Sequence, residues 1–223
     1  IATDDSDVFS LADIAIVDVN LDLEFSHEDS PVIKWGGFKN AISVLGRSMK
    51  PSSLIIIETT VPPGTCEKIA VPIIEEELVN RGLAENSIMV AHSYERVMPG
   101  KDYLDSIINY WRVYAGYTEV AADSCEKFLK TIINSKEYPL CRLHSTLASE
   151  TAKVLENSYR ATNIAFIEEW GRFAEDIGVD IFEVVEAIRY RPTHNNIKQP
   201  GFGVGGYCLP KDPLLTSISC RDF

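Results

Sequence analysis

From Leu147 to about Asp176 the chain runs without a proline, and apolar residues recur at helical spacing: Val154, Leu155, Tyr159, Ile164, Phe166, Ile167, Trp170 and Phe173. Such a helix of about 30 residues is about 45 Å long at 1.5 Å per residue. That is more than one helix needs to cover the sheet of a small domain. A helix of this length links two domains or forms the core of a dimer, and the rest of the fold must be arranged around it. Gly178 ends it, and Asp180 caps a second helix predicted to run to about Tyr190.

Upstream the pattern changes. Short apolar runs at 14–19, 54–58, 88–91, 111–115 and 140–143 read as strands, and amphipathic stretches at 35–49, 65–81 and 119–133 read as helices. Strands alternating with helices predict an α/β domain with a largely parallel sheet over residues 1–145, followed by a helical domain over 146–223. The formal charge of -12 argues against a nucleic-acid partner, because a phosphate backbone requires a basic face. No apolar run is long enough to span a membrane, and no signal peptide opens the sequence. The five cysteines are scattered, odd in number and form no CxxC pair, so neither a disulfide framework nor a zinc site is expected. A reduced, cytoplasmic protein is the default expectation.

The chemistry concentrates in Pro200-Gly-Phe-Gly-Val-Gly-Gly-Tyr-Cys-Leu-Pro-Lys-Asp212. Gly201, Gly203, Gly205 and Gly206 let the backbone turn sharply and approach a bound group. Cys208 follows, with Lys211 and Asp212 close behind, and a thiol beside a cation and a carboxylate has the parts of an activated nucleophile. A buried structural cysteine is the ordinary alternative, but such cysteines rarely sit in a polar, glycine-rich loop. The segment also matches the GxGxxG dinucleotide fingerprint literally. That fingerprint needs a strand before it and a helix opening at its end. Residues 195–200 make no buried strand, and Pro210 follows the glycines before any helix can start, so the dinucleotide reading of this loop is rejected.

Three further segments carry candidate residues. Glu58-Thr-Thr-Val-Pro-Pro-Gly-Thr65 lies at a strand end and helix start, where open α/β sheets bind ligands, although turn chemistry alone accounts for its Pro and Gly. His92-Ser-Tyr-Glu-Arg-Val-Met-Pro-Gly100 sits at another strand end; Glu95 and Arg96 there orient a water and an anion, or form a surface pair of little value. Glu150, Lys153, Asn157 and Arg160 follow one another at steps of three, four and three, which keeps them on one helix face. A solvated face is the ordinary explanation of that stripe. Apolar flanks and a mid-helix Asn argue for function at Lys153 and Asn157.

Taken together, these four segments resemble the UDP-glucose/GDP-mannose dehydrogenase family. They occur in the family's order and cover most of the chain. Asn163-Ile-Ala-Phe166 and Gln199-Pro-Gly201 are most similar to the branch that oxidises UDP-N-acetylhexosamines. The resemblance implies that residues 1–145 are the C-terminal part of a Rossmann-like NAD-binding domain, and that 146–223 form the central, dimerising domain. It implies NAD as cofactor and oxidation of a sugar C6 alcohol to a carboxylate in two hydride transfers. Cys208 is then the nucleophile, Lys153 the proton donor and acceptor, and Asn157 its assistant. Asp212 and Glu95 handle the hydrolytic water. Thr60 lies near the nicotinamide and Lys211 near the cofactor. Arg96, Val97, Lys153, Asn157, Arg160, His194, Gly201, Phe202 and Gly205 hold the UDP-sugar, and the helix over 147–176 pairs with its copy in a homodimer.

The chain departs from the family's pattern in places. His92-Ser-Tyr94 stands where relatives often have a Pro before the Glu. His194 replaces an Arg of the N-acetylmannosamine branch, and Asp18-Val-Asn-Leu-Asp22 lacks a Pro-rich strand end. The family's opening Gly-rich βαβ and its closing nucleotide-binding domain have no counterpart in these residues, so the chain reads as a fragment. By itself it is expected to turn over very weakly or not at all. The alternatives are a UDP-glucose or GDP-mannose dehydrogenase, a one-step reductase of the hydroxyacid type, and a non-catalytic dimerisation module.

Overall fold

Leu54 to Ile57 are buried at all four positions, a pattern that fits a strand covered on both faces and places this segment inside the sheet. The computed structural model describes residues 2–25, 31–97 and 100–222. It contains β1 (Ile14–Val17), β2 (Leu23–Glu24), β3 (Val32–Ile33), α1 (Gly36–Ser48) and β4 (Leu54–Ile57). There follow α2 (Val71–Asn80), β5 (Met89–His92), α3 (Tyr103–Ile108), β6 (Val113–Gly116), α4 (Glu119–Ile132) and β7 (Cys141–Arg142). The helical part comprises α5 (Thr146–Ile177), α6 (Ile181–Arg189) and α7 (Asp212–Asp222).

Five strands form one sheet in the order β1-β4-β5-β6-β7. β4 runs parallel to β1 and β5, with Ile57 opposite both Val17 and His92, so three strands end at one level. β6 is antiparallel to β5, and β7 is parallel to β6. The sheet is α/β and mostly parallel, as the alternation of elements predicts. Helices α1 and α2 cover one face through Phe38, Ile42, Leu45, Ile74 and Leu78, while α4 covers the other through Ala122, Cys125 and Leu129. The helical part does not stand apart from this core: Val154, Leu215 and Ile218 are buried in the same cluster as Val17, Ile55 and Ile57.

Several boundaries have local causes. β1 ends at Val17, two residues earlier than predicted, because Val17 O accepts from Thr59 N at 3.1 Å and Thr59 Oγ1 reaches Val19 O at 3.0 Å. The predicted helix over 65–81 opens with a widened turn, Cys66–Ala70, in which Val71 N–H donates to Cys66 O five residues back. Pro72 follows at once; a proline inside a helix lacks a donor and crowds the turn before it, and the widened turn accommodates that. Ser145 Oγ accepts from Ala148 N at 3.1 Å to start α5, and Gly178, at φ 74°, stops it. The helix has 32 residues, so it is about 48 Å long.

Pro210 precedes the helix start, as expected: α7 opens at Asp212 with Pro213 in its first turn, where a missing N–H costs nothing. No strand precedes the glycines, so the fingerprint still lacks its structural context. The β2–β3 pair and α3 also escaped the sequence reading, being too short to show a period.

What fastens α5 to the sheet is polar. Glu150 is fully buried, and its carboxylate accepts from Gly64 N at 2.6 Å and from Cys66 N at 2.7 Å. These are free N–H groups at the head of the helix that leads into α2, where the dipole favours a negative charge. Beside it His92 Nδ1 and Ser149 Oγ are 2.8 Å apart, both residues buried. Burial pulls the His92 pKa down to about 3.

Burial pushes the Glu150 carboxyl from 4.5 up to about 7, against the pull of its bonds from Cys66 and Gly64. Its contribution to stability is therefore whole below the unfolded value of 4.5 and is lost as pH rises through about 7. His92 gives the opposite slope, stability falling as pH drops below 6.5, but that slope is shared by any variant elsewhere. Glu150→Gln leaves a donor facing a backbone N–H and should cost about 1–3 kcal/mol near pH 5 in urea unfolding. The gap to wild type should narrow toward about pH 8, because only the wild type titrates. A gap that widens with pH would reverse this assignment.

Candidate active site

The carboxyl ends of β1 and β4 and the turn after β5 open onto a cleft of about 210 Å³. One wall comes from the sheet: Asp18 to Leu21 after β1, Glu58 to Thr60 after β4, and Glu95 after β5. The opposite wall is the cysteine loop, through Tyr207, Cys208, Lys211 and Asp212. Gly203 and Gly206 take φ of 78° and 85°, which side chains avoid, so the turn in this loop requires glycine there. Lys211 N and Asp212 N then donate to Cys208 O at 3.1 and 2.9 Å, closing the turn that leads into α7.

The loop is tied down on the side of β1. Lys211 Nζ donates to Leu21 O at 3.0 Å and lies 4.8 Å from the centroid of the Tyr207 ring. Tyr207 Oη donates to Asp22 at 2.7 Å and also reaches Asn20. The Tyr207 bond, with help from Asn20, lowers the Asp22 pKa. The same hydroxyl thus meets both polar side chains of the segment after β1. Cys208 itself is exposed and lines the cleft.

Two residues of α5 join the cleft through its members. Asn157 Nδ2 donates to Asp212 Oδ2 at 2.6 Å, and Asp212 is 1% exposed. Asp212 Oδ1 is buried without a hydrogen bond, its nearest cation being Lys211 Nζ at 3.7 Å. A buried carboxylate oxygen so placed is a strong acceptor for a water or a hydroxyl. Lys153 Nζ donates to Glu95 O at 3.1 Å, while Glu95 Oε2 accepts from Val97 N. Behind them Arg112 Nη1 meets Glu58 Oε1 at 2.5 Å. Burial raises the Glu58 pKa; Arg112 opposes it, and Asp18 and Glu95 add to it.

The fold thus gathers Thr60, Glu95, Cys208, Lys211 and Asp212 around one space and brings Lys153 and Asn157 to its edge. It places other candidates elsewhere. Val97 lines a neighbouring hollow of about 250 Å³ on the far side of Glu58 and Arg112. Arg96 does not pair with Glu95, as was one expectation; it reaches Glu156 Oε2 at 3.2 Å, because α5 brings that carboxylate alongside. Arg160, His194, Phe202 and Gly205 are exposed outside the cleft, and Gly201 lines a separate hollow beside Arg172 and Phe182. Among the described residues no group of three or more His, Cys, Asp and Glu is placed to hold a metal. Asp18, Glu58 with Arg112, and Tyr207 were not singled out in the sequence as site residues. Their only signal is a position at a strand boundary or just before the cysteine.

Residues 2–134 match the NAD binding domain of the UDP-glucose/GDP-mannose dehydrogenase family, and residues 147–222 match its central domain. The UDP-N-acetyl-D-mannosamine dehydrogenase of Pyrococcus horikoshii is 37% identical over 197 residues, which are 87% of this chain and 44% of that protein. The enzyme of that name from Methanocaldococcus jannaschii is 34% identical over 173 residues, 78% of this chain and 37% of that protein. The solved structure of the UDP-D-ManNAc dehydrogenase from Pyrococcus horikoshii aligns with a TM-score of 0.84 at 32% identity, covering 99% of this chain and 50% of that one. The chain spans less than half the length of these curated relatives. With the strand-end cleft, the cysteine loop and both domain matches in register along one sequence, the chain belongs to the UDP-glucose/GDP-mannose dehydrogenase family.

Proposed function

We propose that this chain is the catalytic middle of an NAD-dependent dehydrogenase that oxidises the C6 alcohol of a UDP-N-acetylhexosamine to a carboxylate. The observation that carries the reading is the meeting of Cys208, Lys211 and Asp212 with Thr60 and Glu95 in one cleft, and the bond from Asn157 to Asp212 at 2.6 Å. The relatives named for UDP-N-acetyl-D-mannosamine support the choice of sugar.

The cleft fits the reacting end of NAD and not the whole dinucleotide. It lies at the carboxyl ends of parallel strands, where open α/β sheets bind nucleotides, and at about 210 Å³ it is smaller than a pocket for a complete cofactor. Thr60 and Lys211, which line it, would flank the nicotinamide. NAD, when bound there, supplies the acceptor for hydride.

The side chains have separable tasks. Lys153 holds its ammonium at the cleft edge through Glu95 O, placed to donate to the C6 oxygen as charge develops on it. Cys208 Sγ adds to the aldehyde carbon of the half-oxidised sugar, and its proton passes to the carbonyl oxygen, giving a thiohemiacetal. Oxidation of that carbon leaves a thioester. Water then adds, the C–S bond breaks and the thiol is restored, with Asp212 Oδ1 placed to accept the water's proton. Asn157 fixes the other oxygen of Asp212, so the free one keeps its direction. Overall one alcohol, two NAD⁺ and one water give one carboxylate, two NADH and three protons.

The same reading includes a homodimer. On α5, Leu155, Tyr159, Phe166, Phe173 and Ile177 are all exposed, and their spacing confines them to an arc of about 40°. That stripe lies opposite the buried Glu150, Val154 and Asn157, so a second copy can cover it without disturbing the cleft.

In the full-length polypeptide, consumption of one UDP-N-acetylmannosamine should yield two NADH; a ratio of one would favour a one-step reductase. Cys208→Ser should lower turnover by about 10³ or more while the nucleotide sugar still binds. A variant with near-normal turnover would remove the covalent step from the mechanism. Phe173→Glu, at a residue 63% exposed, should move the species measured by light scattering from dimer toward monomer. An unchanged mass would place the partner face elsewhere.

A further inference from the structure

Tyr94, just before Glu95 in the turn after β5, is neither on the surface nor idle. It is 1% exposed, with its ring tilted against His92 at a centroid distance of 6.1 Å. Two cations share it. Lys153 Nζ lies 5.3 Å from the ring centroid, and Arg96 Cζ lies 5.4 Å from it. Both distances are within the range in which an aromatic face attracts a cation. The hydroxyl is used as well, accepting from Arg96 Nη2 at 3.2 Å.

The remaining contacts of the two cations show how much depends on this ring. Among the described residues Lys153 has one hydrogen bond, to Glu95 O, and without the ring it would swing about that point. Arg96 is held from three sides: by Tyr94 Oη, by Trp111 O at 3.3 Å and by Glu156 Oε2 at 3.2 Å. Glu156 is one turn along α5 from Lys153, so the ring, the two cations and this carboxylate bind the turn after β5 to the long helix.

We propose that Tyr94 is a positioning residue for the dehydrogenase site: its ring fixes the ammonium of Lys153, its hydroxyl fixes the guanidinium of Arg96, and the two together set the spacing of the cations offered to the nucleotide sugar. This rests on the function proposed above for Lys153 and on the substrate contact that the family resemblance implies for Arg96. The ring and the hydroxyl act on different cations, so they can be removed separately. Tyr94→Phe keeps the ring and the packing but frees Arg96 from one of its three holds. Tyr94→Leu keeps an apolar filling and removes both.

The test compares wild type, Tyr94→Phe and Tyr94→Leu in the full-length polypeptide with two readouts. The first is the rate at which Lys153 is acetylated by acetic anhydride, read by peptide mapping, with Lys39 as the internal control. The second is the Kd for UDP-N-acetylmannosamine by calorimetry. In Tyr94→Phe, acetylation of Lys153 should stay within about twofold of wild type while Kd rises about three- to tenfold. In Tyr94→Leu, Kd should rise at least as far, and Lys153 should react about fivefold faster or more. An unchanged Lys153 rate in Tyr94→Leu, or a faster one in Tyr94→Phe, overturns the proposal, as does an unchanged Kd in Tyr94→Phe. Should Tyr94→Leu fail to fold, Tyr94→Phe decides alone by the same two readouts. If the wild type does not bind the nucleotide sugar, the assigned function fails, whereas the acetylation rates still test the hold of the ring on Lys153.

Discussion

Two backbone N–H groups at the head of a helix need an acceptor, and a carboxylate from another helix provides it. The contact of Glu150 with Gly64 and Cys66 is the constraint on which the rest of the site depends. It is fully buried, so its donors have no water to fall back on, and losing it would leave unpaired polar groups in the core. It also sets the phase of α5. With Glu150 aimed at the loop after β4, Lys153 and Asn157 follow on the same face and reach the strand ends. Lys153 arrives at Glu95 O and Asn157 at Asp212. A rotation of the helix by one residue would turn all three away from the cleft.

The cysteine loop completes the cleft from the other direction. It is anchored twice: at its end by Asp212, which opens α7 under Asn157, and in its middle by Tyr207 and Lys211 on the segment after β1. Leu215 and Ile218 then carry α7 into the same apolar cluster as the sheet. Cys208 therefore stands in a stretch of loop whose neighbouring residues are held by different parts of the fold, which is how an exposed thiol is kept in a defined place. The cleft has several carboxylates, Asp18, Glu58, Glu95 and Asp212, and their charge is met by Arg112 on Glu58 and by Lys211 near Asp212.

Much of this architecture was legible in the amino-acid order, and the reason is local. Apolar spacing marked α5 to within a residue at each end, because a long helix repeats its signal many times. The glycines of the cysteine loop marked a turn, and two of them do require left-handed backbone. Short elements such as α3 and the β2–β3 pair had too few residues to show a period. The roles of Glu150, Tyr94 and Tyr207 were hidden for a different reason. Each depends on partners at distant positions: Gly64 and Cys66, Lys153, and Asn20 with Asp22. Glu150 read as one member of a solvated stripe, since nothing nearby in sequence says that this face is covered.

The central claim is that the face of the long helix and the cysteine loop meet over one reacting carbon. The direct measurement is a crystal structure of the full-length Cys208→Ala variant with UDP-N-acetylmannosamine and NAD. The expected result places the sugar C6 within about 4 Å of the Cβ at position 208, with the Lys153 ammonium hydrogen-bonded to the C6 oxygen. A sugar seated with C6 outside this cleft, or with Lys153 still turned to Glu95 O and away from it, would contradict the account.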